Sequence, residues 1–287
     1  MLLITGASGK TGQAIVKALS TSQAQVRALV RRGEQQAHLQ QLGAQEVIVG
    51  DLRSSADLQR ACAGVETLYH ICPNMHPDEV AIAENVLQAA QSNGVGRFVY
   101  HSVLHPQTEE MPHHWNKLRV EELLFKAEVD FTILQPAAYM QNVLASWSTI
   151  VEQGVYRVPY AVTTRLGMVD LNDVAEVAAR VLTETGHSGA IYELAGSEVL
   201  NQEEVAALLS KTLGRPVRAE SISQAVWEQD ARKAGLGDYQ VNTLLKMFAY
   251  YERYGFWGNP LVLATLLGRT PTSFAAFVLR SANSRKT

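Results

Sequence analysis

Residues 2–19 read LLITGASGKTGQAIVKAL, and the fold turns on how GASGKTG at 6–12 is understood. Two phosphate-binding turns compete for it. A P-loop needs G-x-x-x-x-G-K-[ST], a wide glycine-started loop whose backbone N–H groups wrap a triphosphate while Lys reaches the outer oxygens. Counting back from Gly9 puts Ile4 where the first glycine belongs, and Leu2-Leu3-Ile4 reads as a buried strand ending there. The wide loop has no room. Nor does the later apolar run TLYHIC (67–72) end in an acid for magnesium, since it ends in Cys72.

The alternative uses Gly6, Gly9 and Gly12 as a G-x-x-G-x-x-G turn from a strand into a helix, with Ile15, Ala18 and Leu19 recurring at i, i+3 and i+4. The glycines then serve a tight turn, close approach of backbone to pyrophosphate, and close packing of helix on strand. The helix N-terminus faces the phosphates with unpaired N–H groups and its positive dipole end. Gly6 to Gly12, with Ala7, Ser8, Lys10 and Thr11 between and beside the glycines, is the expected pyrophosphate site. The glycines alone also fit a purely structural turn, so the rest of the chain decides.

With 287 residues, 47 % hydrophobic and 18 % charged, the chain is long enough for one large α/β domain with a small appendage. A net charge of −3 gives no surface suited to nucleic acid or an anionic membrane, so neither is an expected partner. The only cysteines are Cys62 and Cys72, which speaks against a structural disulfide and for a reducing compartment. A strand beginning at Leu2 is read as leaving no space for a targeting peptide, and a cytoplasmic location is expected. The apolar run 261–267 is too short to span a bilayer. The histidines form no H-E-x-x-H or Cys/His ligand pattern, and no Ser sits in G-x-S-x-G.

Strand and helix signals alternate along the first half. Strands are expected at 25–30, 46–50, 66–71, 97–103 and 131–136, and helices at 34–42, 55–64, 78–94 and 113–128. Short apolar strands between amphipathic helices mean a parallel sheet covered on both faces, a doubly wound α/β (Rossmann) fold. Residues 1–150 are assigned to this dinucleotide-binding domain, with the sheet completed from 155–196, and 197–287 to a smaller, mostly helical region over the cleft. A helix is expected around 142–154, a strand near 155–159, a helix over 171–185 with Asp170 or Asn172 as N-cap, and a helix from 201 with Asn201 and Glu204 as a capping box. Trp227, Tyr239, Phe248, Tyr250, Tyr251, Tyr254, Phe256 and Trp257 follow, read mainly as packing, with a pocket or subunit contact as the other use.

A dinucleotide over Gly6–Gly12 must bring its adenosine ribose to the end of the second strand. NAD proteins often place an acid there to accept from the 2′-hydroxyl, whereas Arg suits a 2′-phosphate. Here LVRRG supplies Arg31 and Arg32 and no acid, so NADP(H) is preferred over NAD(H), although two arginines at a strand end also describe an ordinary solvated edge. Asp51 is placed to reach the adenine amino group or to cap the next helix, and Leu52 to cover the ring.

The order TGASGKTG, ALVRRG, GDL, AENVLQAAQSNGVGRFVYHSV, HHWNKLRVEELL, FTILQPAAYMQNVL, VDLNDVAEVAARVL, YELAG and GRTPTSFAAFV resembles the NmrA-like family, atypical members of the short-chain dehydrogenase/reductase superfamily. The resemblance runs over almost the whole chain. It implies a Rossmann domain and an NAD(P) site, and covers both reductases of quinones, azo dyes or triarylmethane dyes and redox sensors that bind a protein partner without turnover. The superfamily's catalytic set is Ser, then Tyr four residues before Lys. Tyr protonates the carbonyl oxygen, Lys lowers the Tyr pKa and holds the nicotinamide ribose, and Ser orients the carbonyl. By that likeness Ser102 and Lys117 match, while His113 stands in the Tyr position, either as an acid titrating near neutrality or as a solvated or capping residue. Tyr139 is a further catalytic candidate, and Ile71, Cys72, Pro73, Gln135 and Pro136 are expected along the cofactor cleft, with His105 and Asn142 on the substrate side. A small-molecule acceptor is the expected partner for the reductase, and a homodimer is expected from the fold.

Overall fold

The computed structural model describes residues 1–285. Its elements are β1 (Leu2–Ile4), α1 (Lys10–Leu19), β2 (Val26–Val30), α2 (Gln36–Gln41), β3 (Glu46–Val49), α3 (Ser55–Cys62), β4 (Thr67–His70), α4 (Glu79–Ser92), β5 (Arg97–His101), α5 (Pro112–Lys126) and β6 (Asp130–Pro136). There follow β7 (Ala138–Tyr139), α6 (Trp147–Gln153), β8 (Val155–Val158), β9 (Leu166–Val169), α7 (Leu171–Thr183), β10 (Ile191–Leu194) and β11 (Val199–Leu200). The chain ends in α8 (Gln202–Leu213), β12 (Arg218–Ser221), α9 (Gln224–Lys233), α10 (Asp238–Tyr254), α11 (Leu261–Leu267) and α12 (Phe274–Asn283). Two stretches expected as single helices are split, because 33–35 and 140–146 wind as tighter 3₁₀ turns before α2 and α6.

The main sheet has seven strands in the order β10-β6-β5-β4-β1-β2-β3. β1 pairs in parallel with both β2 and β4, so the strand order reverses at β1 and the crevice beyond the carboxyl ends of β1 and β4 is the ligand-binding switch point of a doubly wound fold. Thr5, just past β1, ties the two ends together: its N–H donates to the Tyr69 carbonyl at 3.0 Å, and its Oγ1 accepts from the Ile71 N–H at 2.9 Å. Leu3, Leu68, Phe98 and Ile133 on the strands and Leu58, Ile82, Val86 and Leu124 on the helices form one buried core.

Two compact units divide the chain. The first comprises Met1–Thr108, His113–Gln135 and Val174–Tyr192, and the second Glu109–Pro112, Pro136–Asp173 and the chain from Glu193 onward. The units differ from the division at residue 150, because β6 and α7 each carry the chain from one unit into the other. In the second unit β11, β9 and β7 form a three-stranded sheet and β12 pairs with β8. The strands β7, β9 and β11 are additions to the sequence expectation. Asn201 and Glu204 form the expected capping box of α8, and the Asp170 carboxylate accepts from the Asn172 N–H at the start of α7. Phe248, Tyr251 and Phe256 are buried packing residues, whereas Tyr254 and Trp257 are exposed. The last two residues of the expected C-terminal region, 286 and 287, lie outside the described residues.

Helix α1 seats against the turn that precedes it only because position 12 lacks a side chain. A Cβ at Gly12 would lie 2.5 Å from the Ala7 Cα and 2.6 Å from the Gly6 carbonyl oxygen, and backbone cannot step aside as a flexible side chain can. Gly12→Ala should therefore destabilise the protein by about 1–3 kcal/mol in urea titration, while Gly96→Ala, whose Cβ would have its nearest neighbour at 3.8 Å, should stay within about 0.5 kcal/mol. Equal effects at the two positions would remove the steric role of Gly12.

Candidate cofactor and catalytic site

Two of the turn's glycines, Gly6 and Gly12, are required on steric grounds. Gly6 has φ +60, and a Cβ there would fall 2.7 Å from the Ile71 carbonyl oxygen. Gly9 is exposed and caps α1 with extended backbone, φ −75 and ψ 165, without any side-chain capping bond. The first turn of α1 carries no acid, so no carboxylate neutralises its positive dipole end. A bare backbone leading onto an uncapped helix start is what a pyrophosphate requires, and the residues present fit that group. Lys10 is exposed at the head of the helix, and Gln13 braces the turn by donating to the Ser8 carbonyl at 2.7 Å.

Arg31 and Arg32 are exposed immediately after β2. Glu34 lies 3.3 Å from the Arg32 Nε. A third guanidinium, missed from the sequence, belongs to the same end: Arg53 grips Asp51 with two bonds, of 3.1 and 2.7 Å. That grip, with the Arg53 N–H and the Arg31 charge helping, holds the Asp51 carboxyl well below its usual range, at about 2. Asp51 is not the cap of α3; Ser54 is, accepting from the Asp57 N–H. Leu52 is 7 % exposed and belongs to the main core, so it has little surface left to cover a ring. Asp51 binds Arg53 because the adjacent GDLR turn folds the guanidinium back two residues, a spacing that could have been read in the sequence.

At the other end of the switch point the side chains are buried and polar. Lys117 on α5 donates to the Glu79 carboxylate at 2.6 Å and to the His101 carbonyl at 3.2 Å, and stands 5.4 Å from the centre of the Tyr100 ring. An ammonium has three donors, so one N–H of Lys117 is left for another acceptor, as a ribose hydroxyl would provide. Glu79, 1 % exposed in the first turn of α4, also accepts from the Tyr100 hydroxyl at 3.1 Å. Sequence reasoning missed Glu79, whose one signal is an acid followed by the apolar run Val80 to Ala83.

Ser102 follows the last residue of β5, is 2 % exposed, and donates through Oγ to Glu121 in a short bond. Gln135 Nε2 donates to both oxygens of the same carboxyl, at 2.9 and 3.0 Å. Glu121 was also missed; it lies one helical turn beyond Lys117. Burial is the largest influence on it and raises its pKa, against the lowering by Ser102, Gln135 and Lys117.

His113 is neither solvated nor an acid titrating near neutrality. It is buried, edge-on to His114 with ring centres 4.4 Å apart, and burial with the nearby His114 and Lys117 charges pushes its pKa down to about 2. Cys72 is buried and its thiol is pushed far up, chiefly by burial and then by Glu79, so it is inert. Ile71 and Pro73, half-buried, flank it beyond β4. Tyr139, Pro136 and the exposed Asn142 belong to the second unit. His105 has φ +54, a strained backbone for a non-glycine residue, and its carbonyl contacts the His114 Nδ1 at 3.1 Å. Both cysteines are free, and no described helix is long and apolar enough to cross a membrane.

Residues 1–273 match the NmrA-like family. The chain is 30 % identical over 282 residues to quinone oxidoreductase 2 of Escherichia coli (strain K12), with 97 % of each chain covered. It is 29 % identical over 282 residues to an NAD(P)H azoreductase of Xenophilus azovorans, with 96 % of each covered. The solved structure of an NADPH-dependent quinone oxidoreductase from E. coli, complexed with NADPH, superposes with a TM-score of 0.86 at 29 % identity over 99 % of this chain and 100 % of that one.

Burial of imidazoles around the switch point has a consequence for stability. Burial is the main cause that pushes His70 and His101 down to about 3, His113 to about 2 and His114 to about 4. Below pH ~6.5 the unfolded chain takes protons on these residues that the folded chain refuses. Each then removes about 1.4 kcal/mol of stability per pH unit until its folded pKa is reached. Urea midpoints should hold steady between pH 7 and 8 and fall below pH 6.5. His70→Asn should flatten that fall by one proton's share, and an unaltered slope would show that His70 titrates normally.

Proposed function

The chain belongs to the NmrA-like family, and from that premise we propose that it is an NADP(H)-binding oxidoreductase that delivers hydride to a small aromatic electrophile such as a quinone or azo compound. The observation that carries the reading is the side-chain-free turn opening onto the uncapped start of α1, with Arg31 and Arg32 exposed at the end of β2. When bound, NADPH supplies a hydride from its reduced nicotinamide.

The residues of the chain then have distinct roles. Backbone N–H groups in the first turn of α1 and the α1 dipole hold the pyrophosphate, and Lys10 adds a cation. Arg31 and Arg32 meet the 2′-phosphate, for which an arginine fork is better suited than a carboxylate. Lys117, pinned by Glu79 and the His101 carbonyl, offers its remaining N–H to the nicotinamide ribose. Ser102, at the end of β5, is assigned the acceptor-orienting role. Quinones and azo bonds suit this set because their reduction has no need of a tyrosine to protonate an alkoxide.

One observation favours a second reading, a cofactor-dependent sensor that binds a protein partner and does not turn over. No Tyr stands four residues before Lys117, and the His113 there is buried and neutral. A panel of quinones, azo dyes and cationic dyes separates the two readings: acceptor-dependent NADPH oxidation supports the reductase, and tight NADPH binding without oxidation supports the sensor.

The cofactor preference is checked by calorimetric titration. Arg31→Ala with Arg32→Ala should weaken NADPH about tenfold or more and leave NADH nearly unaffected, since charged hydrogen bonds to a phosphate contribute about 1.5–3 kcal/mol each. Equal losses for both nucleotides would remove the 2′-phosphate role. Wild-type protein that binds neither nucleotide would return the glycine turn to architecture alone.

A further inference from the structure

We propose that Glu121 is a proton reservoir that acts through Ser102, switching the serine hydroxyl from a committed donor to an available one. The inference rests on the reductase reading for its catalytic use, but the switch itself is a property of the buried cluster.

The geometry defines two states. With Glu121 ionised, the Ser102 proton is committed to the carboxylate, and Ser102 offers an incoming acceptor only lone pairs. With Glu121 protonated, the same short contact runs the other way: the carboxyl O–H donates to the Ser102 Oγ, and the serine hydroxyl proton is released for another partner. Gln135 can donate to the carboxyl oxygens in both states, so the heavy atoms need not move.

The surroundings favour the protonated state. Glu121 is 2 % exposed, and among the described residues its hydrogen-bond partners are a hydroxyl and an amide, with no cation in contact. Glu79 differs, because it takes the Lys117 ammonium directly. The ionisable groups that act on Glu121 are Lys117 from its own helix and Tyr100 from β5; the loop after β5 and strand β6 present only Ser102 and Gln135. A buried carboxyl without a touching cation keeps its proton to higher pH, which is the direction found here.

The chemistry balances with one proton. Hydride addition to a quinone or azo bond, with both electrons coming from the cofactor, leaves an oxygen or nitrogen anion. That anion takes the Ser102 hydroxyl proton as the O–H bond breaks. The Ser102 oxygen is refilled by the Glu121 proton, and the resulting carboxylate regains a proton from solvent. A cationic triphenylmethane dye needs no such step, since hydride addition to a carbocation gives a neutral product directly.

Two measurements on the full chain test the proposal. Infrared difference spectra of the cofactor-free wild type against Glu121→Gln at pH 7 should show the carbonyl band of a protonated carboxylic acid lost in the variant; a carboxylate band lost instead would overturn the switch. In steady-state kinetics, Glu121→Gln keeps a hydrogen-bonding side chain but has no transferable proton, so kcat for a quinone should fall at least ~10-fold more than kcat for a cationic dye. Equal falls, or no fall for quinone, would overturn the reservoir. Should the variant not fold, the wild type decides: the quinone-to-dye kcat ratio should drop as pH rises from neutrality, and a flat ratio overturns the proposal. Absence of turnover with every acceptor would sink the reductase reading, while the infrared spectrum would still decide the state of Glu121.

Discussion

Everything at the switch point depends on the backbone-to-backbone contact at Gly12. The ring of atoms from the Gly6 carbonyl to the Ala7 Cα occupies the space where any side chain at position 12 would stand. Because that space is shared, α1 can start with only Thr5 to Gly9 between it and β1, at the carboxyl end of that strand. Gly6, at φ +60 against Ile71, makes the same demand from the side of β4. Close packing and the short passage from β1 into α1 are thus two results of one steric condition.

Beyond that condition, the protein carries an unusual load of buried polar groups. Glu79, Glu121, His70, His101, His113 and His114 are all nearly inaccessible. Burying a charge costs several kcal/mol unless a partner offsets it, and each group meets that penalty differently. Glu79 meets it with the Lys117 ammonium, while the histidines meet it by staying neutral. Glu121 has donors but no touching cation, and burial shifts its carboxyl toward the protonated form. A rigid polar floor of this kind holds Lys117 and Ser102 in place without relying on exposed side chains, whose pairs contribute little.

The sheet was legible because its signals are local. Short β-rich runs, a glycine turn and amphipathic helices fix β1 to β6 within a residue or two, and the order of strands follows from the handedness of the connections. Capping was legible at Asn201 and Glu204 for the same reason. What could not be read depends on distant partners. The strands β7, β9 and β11 are two to four residues long and exist through pairing across the chain. His113 looked like a polar helix entrance, yet α5 turns it inward. Glu79 and Glu121 carry no local mark that separates them from other helix acids, and only the fold shows that both are buried. Asp51 had two roles open, and the nearby Arg53 took it for a third.

The two ends of the switch point therefore use charge in opposite ways. At the β2 end, Arg31, Arg32, Arg53 and Asp51 are solvent-accessible, so their mutual attraction is screened and the guanidiniums can turn toward a ligand at little cost. Such a site selects by charge and tolerates loose geometry. At the β5 end, Lys117 and Glu79 sit where water is scarce, and moving either would strand the other. That end is fixed before anything binds. An exposed end that can adapt, paired with a buried end that cannot, lets affinity be gathered far from the groups that must be held within a few tenths of an ångström.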